Sequence, residues 1–425
     1  MKSSFAREPI GKLLKAIVDN RGKTVPTADD GIPLIATNCI KESSLYPTFE
    51  NIRYVSEKTH RTWFRAHLQP EDILFVNKGT PGRVCMVPDP VNFCAAQDMI
   101  GLRADRSKVY PRYLFAFLRS DWVKETIRNY HVGLVIPHFK KQDLDTITVP
   151  KRSNDEQKAI GDLYFLLSEK IEINNRINEE LEGMAKLLYD YWFVQFDFPI
   201  TAAQAAAMGK PKLEGKPYRA SGGKMIYNQV LKREIPEAWE ISDLGGICNS
   251  VRDTVDPAAV AAATPYVGLE HVPRRQFFLD AWESAELVKS LKSSFLKGDI
   301  LFGKLRPYFH KVVKVAMDGI CTSELLVLRA KEPKFEALIG SIVFSDIFVE
   351  STSKQWGGAQ MPRADWKRME EFKFPLPPDD LLKVFNERIL PLCELGGSNQ
   401  QQNQELTKLR DWLLPMLMNG QVTVG

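Results

Sequence analysis

The sequence contains no apolar run that approaches the ~20 residues of a membrane-spanning helix. Its opening residues, Met1-Lys2-Ser3-Ser4, lead into a mixed polar stretch and do not resemble a signal peptide. The six cysteines are scattered along the chain, and no two of them form a C-x-x-C pair. We therefore expect reduced thiols and a cytoplasmic protein.

Motifs of catalysis are also missing. No two glycines are separated by a single residue, so the Gly-x-Gly turn of dinucleotide-binding folds is absent, and no Gly-x-Ser-x-Gly elbow occurs. Gly22-Lys23-Thr24 resembles the end of a phosphate-binding loop, but Ile17 stands where that loop needs a glycine. Asp318 with Glu332-Pro333-Lys334 loosely matches a metal-dependent nuclease, although the proline is unsuited to the required strand. We expect no catalytic residue and no metal site in this chain.

The bulk composition indicates a folded protein of more than one domain. A chain of 425 residues is too long for one ordinary core and suggests two or three domains. Apolar residues make up 44% and charged residues 26%, as in globular proteins. The formal net charge of +4 permits nucleic-acid binding but does not argue for it, because only a clustered basic surface would.

The most informative feature is an internal repeat with an offset of about 225 residues. Matching segments occur in the same order in both halves, which a chance match would not produce. The pairs are Glu71–Phe75 with Gly298–Phe302, Ser120-Asp121 with Ser345-Asp346, Ile136-Pro137 with Met361-Pro362, Thr148–Pro150 with Lys373–Pro375, Asn174 with Asn399, and Glu180-Leu181 with Glu405-Leu406. The period far exceeds that of solenoids, so the sequence predicts a duplicated domain.

Each copy has the pattern of a mixed α/β (α+β) domain. Short β-like runs separated by turn residues come first, then a probable helix near 111–128 or 334–350. A glycine-containing loop follows, at Gly133 to Pro137 and at Gly357 to Pro362, before a last strand that ends at Pro150 or Pro375.

After each of those prolines the apolar period changes to three and four residues, as in the seam of a coiled coil. The first seam runs through Ile160, Leu163, Leu167, Lys170, Asn174, Ile177, Leu181, Met184, Leu188 and Tyr191, and the second lies 225 residues later. Each predicted helix of ~35–40 residues would be roughly 50–60 Å long. In the second, Pro391 and Gly396-Gly397 favour a break or kink with resumption at about Ser398, although a low-complexity loop is the alternative.

These patterns divide the chain into five parts. We expect a first domain at 1–153, a first long helix at 154–196, a linker at 197–230, a second domain at 231–378 and a second long helix at 379–425. The linker is rich in alanine, glycine and lysine, so we expect one short helical turn in an otherwise exposed, mobile segment.

Two similar domains on a rigid spacer suit a target in two parts, such as a split site on double-stranded DNA. Glycines, lysines, arginines and small polar residues cluster after the Asp-Ile-Leu-Phe strand of each copy and again before its last strand, where they would bind phosphates and base edges. Solvated turns have the same composition, which is the competing interpretation. The candidate DNA-binding residues are Asn77, Lys78, Thr80, Arg83, His138, Lys140 and Lys141 in the first copy, and Lys304, Arg306, Tyr308, His310, Lys354, Gln360 and Arg363 in the second.

The chain resembles the specificity subunits of type I restriction–modification systems over nearly its whole length. The resemblance rests on the repeat and on five motifs. They are Ile235-Pro236-Glu237-Ala238-Trp239, Gly79-Thr80-Pro81-Gly82-Arg83-Val84, Val135-Ile136-Pro137, Val149-Pro150 followed by Glu156-Gln157, and the helix end Leu187–Phe196.

The resemblance implies two target-recognition domains, each reading half of an asymmetric site through the major groove. It also implies that the two long helices pack antiparallel, set the unread gap and dock two methyltransferase subunits. S-adenosylmethionine would bind those partners, and ATP and magnesium would bind the motor-nuclease subunits. Because Tyr189, Tyr191, Trp192 and Phe193 exceed what a two-helix seam can bury, we expect them to contact the methyltransferase. The alternatives are a protein-interaction scaffold and the recognition half of a methyltransferase or nuclease.

Overall fold

The computed structural model describes residues 5–19, 23–129, 138–354 and 362–424. The chain divides into two compact units, one formed by Met1–Ile173 with Glu405–Gly425 and the other by Asn174–Gln404. Among the described residues, no helix is both long and apolar enough to cross a membrane. The predicted loops at Gly133 to Pro137 and Gly357 to Pro362 lie outside the described residues, except for Pro362.

The first unit combines small sheets with short helices. Its strands are β1 (Arg7–Pro9), β2 (Leu14–Asp19), β3 (Ile32–Ile35), β4 (Arg53–Val55), β5 (Ile73–Val76), β6 (Val84–Met86), β7 (Cys94–Ala95), β8 (Met99–Ala104) and β9 (Thr148–Pro150). Its short helices are α1 (Ile10–Leu13), α2 (Glu57–Trp63), α3 (Pro111–Leu118) and α4 (Asp121–Asn129). The long helix α5 (Asn154–Tyr189) begins in this unit.

The second unit repeats this set of elements with additions. Its strands are β10 (Met225–Asn228), β11 (Arg233–Pro236), β12 (Glu240–Asp243), β13 (Cys248–Val251), β14 (Thr254–Val255), β15 (Pro265–Val267), β16 (Glu283–Ser284), β17 (Lys292–Phe295), β18 (Ile300–Gly303), β19 (Val312–Lys314), β20 (Gly319–Cys321), β21 (Leu325–Ala330) and β22 (Lys373–Leu376). Its helices are α6 (Ala202–Ala207), α7 (Leu244–Ile247), α8 (Glu336–Phe344), α9 (Asp346–Lys354) and α10 (Trp366–Met369). The long helix α11 (Asp379–Asn419) begins in this unit, and its residues from Glu405 onward belong to the first.

The sheets confirm the repeat. An antiparallel sheet of order β2-β8-β5-β6 in the first unit corresponds to β13-β21-β18-β19 in the second. The parallel pair β3 with β7 corresponds to β15 with β20, and the closing pair β1 with β9 corresponds to β12 with β22. The predicted mixed helix-and-sheet fold is therefore confirmed.

One ion pair occurs with the same atoms in both units, directly before β5 in the first and directly before β18 in the second. The carboxylate of Asp72 accepts two hydrogen bonds from Arg103, at 2.9 and 2.7 Å, and that of Asp299 accepts two from Arg329, at 2.8 and 2.7 Å. Both carboxylates are buried, and a bidentate arginine is the partner that such a group needs.

The residues that follow Asp72 and Asp299 are apolar because both faces of their strand are covered. Ile73 and Phe75 of β5 pack into one core of the first unit, and Leu74 packs into another. Since successive side chains of a strand point to opposite faces, one strand supplies two cores. Ile300 and Leu301 of β18 are divided between two cores in the same way.

Each helix predicted near 111–128 and 334–350 is in fact two short helices. Ser120 separates α3 from α4, and Ser345 separates α8 from α9. The hydroxyl of each serine donates to the carbonyl oxygen three residues earlier, Phe117 at 2.6 Å and Ile342 at 2.7 Å. This local bond competes with helical pairing and ends the first helix.

The long helices pack antiparallel within each unit. In the second unit, Asn174 contacts Asn403 while Asn178 contacts Asn399, so residue numbers rise along one helix and fall along the other. A break in the second helix and the alternative of a loop are both wrong, because α11 is one helix of 41 residues that includes Pro391 and Gly396-Gly397, while a kink within it stays a prediction. Both glycines are buried under the second domain, where side chains would not fit.

The predicted linker at 197–230 is not an exposed segment. Phe198 and Ile200 are buried in the core of the second unit, and the ring of Tyr218 stacks on Phe198 at 4.7 Å. The alanine-rich stretch forms the short helix α6, with Thr201 capping its N-terminus. The expectation of exposure is therefore wrong for these side chains, because their aromatic rings give the segment an apolar surface of its own.

Candidate nucleic-acid interface

The first candidate loop, Asn77–Arg83, is a tight turn between β5 and β6. The N–H of Val76 donates to the carbonyl of Arg83 at 2.9 Å, and Gly82 donates back to Val76 at 3.0 Å. Gly79 and Gly82 have φ values of +86° and +94°, which other residues rarely adopt. Lys78, Gly79 and Thr80 are exposed at the tip.

A second candidate segment lies directly beside this loop. The N–H of Phe139 donates to the carbonyl of Asn77 at 2.8 Å, and Lys78 and His138 form an antiparallel bridge. The structure therefore brings together two groups of predicted residues that are 60 positions apart in the chain. His138, Lys140 and Lys141 are all exposed, and Lys141 also donates a hydrogen bond to the carboxylate of Asp19.

The second unit places its own candidates on the same backbone frame. The N–H of Ala364 donates to the carbonyl of Lys304 at 2.8 Å, and Leu305 and Arg363 form the antiparallel bridge. A further bond links the N–H of Arg306 to the carbonyl of Pro362 at 2.8 Å. Both units thus present one basic loop and one bridging segment at equivalent places.

The turn after Arg306 differs from its counterpart in the first unit. A 3₁₀ turn, Pro307–Phe309, lies between Arg306 and His310, which have left-handed φ values of 49° and 53°. Tyr308 is exposed at its tip. His310 is buried, with Nε2 2.9 Å from the carbonyl oxygen of Phe344, and burial lowers its pKa. His310 therefore supports the turn from inside and does not share the exposure on which its prediction depended.

Two candidates cannot be placed. Gln360 lies outside the described residues, and Lys354 ends α9 but its side chain is not among those described. Their contact with DNA stays a prediction, as does that of the candidates placed above.

Sequence reasoning missed a group of cations around the second loop. Arg252, Arg274 and Arg275 are exposed, and the guanidinium of Arg274 lies 3.9 Å from the ring centre of Phe309. Burial lowers the pKa of Lys304, and the neighbouring Arg252 and Arg363 lower it further, while Glu324 opposes them. The adjacent arginines 274 and 275 were the only sequence signal for this group. Such crowding of positive charge favours an anionic ligand.

Glu324, which sequence reasoning also missed, binds the candidate Arg363. The Nη2 atom of Arg363 donates to both carboxylate oxygens, at 2.9 and 2.7 Å. Arg363 is half exposed and Glu324 a third exposed, so the pair lies at the protein surface. The carboxylate orients the guanidinium before any ligand arrives.

The aromatic residues at the end of α5 are less exposed than predicted. Trp192 and Phe193 are buried, and their ring centres lie 5.6 and 4.6 Å from that of Phe385. Tyr189 is half-buried against the same core, and only Tyr191 of the four is exposed. The premise of exposure is wrong for Trp192 and Phe193, because both rings pack against Phe385 in the core of the second unit. Contact of these four residues with a partner stays a prediction.

Known proteins are similar to this chain in sequence and in fold. Residues 26–183 match the type I restriction modification DNA specificity domain. The chain is 23% identical over 333 residues to the type I restriction enzyme MjaIX specificity subunit of Methanocaldococcus jannaschii, covering 74% of this chain and 70% of that one. It is 22% identical over 399 residues to the HindI specificity subunit of Haemophilus influenzae, covering 80% and 84%.

A solved structure resembles this chain along nearly its whole length. The type I restriction-modification S subunit from M. genitalium aligns with a TM-score of 0.55 at 15% identity, covering 98% of this chain and 96% of that one. This similarity shows a shared fold, and the resemblance found in the sequence motifs is confirmed.

Proposed function

We propose that this chain is the DNA-reading subunit of a type I restriction–modification system. The proposal rests on residues 26–183, which match the type I restriction modification DNA specificity domain. In this proposal the two similar domains each read one half of a split, asymmetric site, and the chain itself makes and breaks no covalent bond. The observation that carries it is the repeated frame, in which a basic loop and a bridging segment occupy equivalent places in both units.

The repeated frame carries different side chains, as two readers of different sequences require. Lys78 beside His138 in one unit corresponds to Leu305 beside Arg363 in the other. Backbone bonds hold the frame, while side-chain identity determines which base edges can be bound. A split site whose halves differ is therefore the target that this arrangement fits.

The long helices would set the gap between the two halves of the site. At ~1.5 Å per residue, α5 and α11 are about 54 and 62 Å long. Their seam carries buried asparagine pairs that favour one pairing of the helices. A fixed pairing is what a fixed gap requires.

The helices also offer two equivalent apolar surfaces for methyltransferase subunits. Met184 and Leu187 are 57% and 67% exposed on α5, and their repeat counterparts Leu409 and Trp412 are 43% and 57% exposed on α11. Equivalent exposed patches suit two copies of one partner. Motor-nuclease subunits would join the same complex, and the partners would supply S-adenosylmethionine, ATP and magnesium.

A domain exchange tests the reading of two halves. Residues 240–376 form a convenient segment because its ends are neighbours in the β12–β22 pair. Replacing them with the equivalent segment of a relative should change one half of the methylated site, read by sequencing methylated adenines in a host with the complete system. A change in both halves, or in neither, would contradict the proposal.

Salt dependence separates DNA reading from a scaffold role. Affinity for duplex DNA should fall with rising salt in proportion to the phosphates contacted. A flat response of the assembled complex would favour the scaffold instead. Methyl transfer or DNA cleavage by the purified chain alone would favour an enzyme.

Loss of one surface should remove one partner. We expect Met184→Ser with Leu187→Ser to reduce two co-purified methyltransferase subunits to one, and Leu409→Ser with Trp412→Ser to do the same. Leu287→Ser is the control, because that leucine is 86% exposed outside both patches. Retention of two subunits by either double variant would contradict this part of the proposal.

A further inference from the structure

We propose that Arg363, oriented by Glu324, specifies a guanine in the half-site of the second domain, and that Asp98 and His138 occupy the corresponding reading position in the first. The inference rests on the proposed function, since it names residues that would determine the sequence each domain reads. Glu324 and Asp98 are positioning residues in this scheme, and Arg363 and His138 would touch the bases.

Three chain segments meet at the reading position of the second unit and are joined by backbone hydrogen bonds. The N–H of Lys304 donates to the carbonyl of Glu324 at 2.9 Å, and Ala364 donates to the carbonyl of Lys304 at 2.8 Å. Glu324 and Arg363 are therefore held on either side of one residue. A side chain aimed from such a frame loses little freedom on binding, which favours selective contacts.

The first unit builds the same junction with different side chains. The N–H of Asn77 donates to the carbonyl of Asp98 at 3.1 Å, and Phe139 donates to the carbonyl of Asn77 at 2.8 Å. The repeat therefore places Asp98 at the position of Glu324 and His138 at that of Arg363. A carboxylate and a nitrogen donor recur at this point, but the donor changes from guanidinium to imidazole.

This substitution contrasts with a position where both units keep the same residues. The buried pairs Asp72–Arg103 and Asp299–Arg329 are identical in kind and geometry. Where the repeat serves the fold, its side chains are kept. At the junction only the backbone frame is kept, as expected for positions that bind two different base sequences.

The Glu324–Arg363 pair leaves part of the guanidinium available for a base. Both oxygens of Glu324 bind Nη2, and within the described residues no bond occupies Nη1 or Nε. Nη1–H and Nε–H lie on opposite edges of the guanidinium, so one of them can donate to O6 or N7 of guanine, whose major-groove edge presents two acceptors. An ion pair this exposed contributes little to the free energy of folding, so a role in stability does not account for it.

The charges around the pair also favour DNA. Lys304 is half-buried beside Arg252 and Arg363, and Glu324 is the carboxylate that opposes them. Phosphates would relieve the repulsion among these cations. Lys304 and Arg306 would then bind the backbone while Arg363 reaches a base edge.

The test compares Glu324→Gln and Arg363→Lys in the complete complex with its methyltransferase subunits. Arg363→Lys keeps the positive charge but loses the planar fork, and Glu324→Gln keeps the size but loses the charge that aims it. Binding is measured on duplexes with every base pair of the wild-type site replaced in turn, and methylated adenines are sequenced in the host.

We expect both variants to lose discrimination at one guanine of the second half-site, by about 10- to 150-fold, the range for one hydrogen bond that involves a charged group. The other half should stay as in the wild type. Glu324→Asp should recover part of the lost discrimination, because it restores the carboxylate. The matched control is the exposed ion pair Arg219–Glu234, for which Arg219→Lys and Glu234→Gln should change no base preference.

Two results would overturn the inference. One is an equal loss of affinity for all sequences, which would make Arg363 a phosphate contact, and the other is an unchanged base preference in both variants. A wild-type complex that recognises no split site would instead contradict the proposed function. The wild-type measurement therefore separates the two failures.

Discussion

The side-chain amide of Asn174 donates a hydrogen bond to the side-chain oxygen of Asn403 over 2.9 Å, and Asn399 donates to Asn178 over the same distance. The 225-residue repeat relates Asn174 to Asn399 and Asn178 to Asn403, so these are one contact made twice, with the same donor and acceptor. All four side chains are buried. Because an unpaired buried amide is costly, the pattern selects one pairing of α5 with α11.

Removing one partner of this network should cost more than removing both. We expect Asn399→Ala to lower the free energy of unfolding by about 1–3 kcal/mol, because the buried oxygen of Asn178 loses its donor. The double variant Asn178→Leu with Asn399→Leu leaves neither amide and should lose less. Urea unfolding gives these values, and the exposed Ser398→Ala should change them by less than about 0.5 kcal/mol. A double variant less stable than the single one would contradict the argument.

Glycines in the two long helices should respond oppositely to alanine. A Cβ on Gly396 would lie 2.3 Å from Cζ of the Phe278 ring, whereas a Cβ on Gly183 would meet nothing within 4 Å. We therefore expect Gly183→Ala to stabilise the protein by up to about 1 kcal/mol through helix propensity. Gly396→Ala should destabilise it by about 1–3 kcal/mol through overpacking. Thermal unfolding of both variants checks this, and stabilisation by Gly396→Ala would show that the ring yields.

These glycines show where sequence reasoning reached its limit. The repeat offset and the place of Asn174 and Asn399 were predictable, because period and spacing are properties of the sequence itself. The predicted α5 seam is wrong at Met184, which is 57% exposed. Continuity of α11 was not predictable, since Pro391 and Gly396 weaken a helix by their local preferences. Here packing overrides those preferences, because Gly396 gives Phe278 the close approach that a side chain would block.

The candidate site was predictable to a similar extent. The lysine- and arginine-rich loops stood out because they follow the same strand in both copies. The partnership of Glu324 with Arg363 did not, since it depends on a junction of three segments distant in the sequence. The burial of Trp192 escaped notice because its ring packs against Phe385, which is distant in the sequence.

An arginine from outside each long helix caps that helix at its C-terminal end. Arg152 donates through Nη2 to the carbonyls of Leu417 at 2.9 Å and Met418 at 3.1 Å, and its guanidinium lies 3.6 Å from the ring centre of Phe5. Arg233 donates to the carbonyl of Val194 at 2.6 Å in the turn that follows α5. Cations at these ends satisfy carbonyls that have no helical donor and oppose the negative end of the helix dipole.

Loss of the first cap should therefore weaken the first unit. We expect Arg152→Ala to reduce the free energy of unfolding by about 1.5–3 kcal/mol, the range for hydrogen bonds to charged groups. Arg152→Lys should recover only part of this, because one ammonium does not reproduce the planar fork. The neighbouring Lys151→Ala serves as control, since that side chain is 65% exposed. Equal stability of Arg152→Ala and the control would show that the cap contributes nothing.

Glu182 should make the stability of the second unit depend on pH. Its carboxylate lines a cavity of about 500 Å³ beside Phe193 and Phe344, and accepts the N–H groups of Phe277 and Phe278 at 2.7 and 3.2 Å. Burial is the main cause that raises its pKa from 4.5 to about 7. The folded protein therefore holds a proton that the unfolded chain releases, and this stabilisation, complete below pH 4.5, is lost as pH rises through about 7.

Glu182→Gln should remove this loss, because glutamine keeps an acceptor for the two N–H groups and cannot ionise. We expect the variant to match the wild type near pH 4.5 and to exceed its free energy of unfolding by about 1–3 kcal/mol at pH 8. Urea unfolding across this range measures the difference, with the exposed Glu180→Gln as a control expected to show a constant offset. If the Glu182→Gln and wild-type curves stayed parallel, the pKa of Glu182 would not be raised on folding, and the prediction would be wrong.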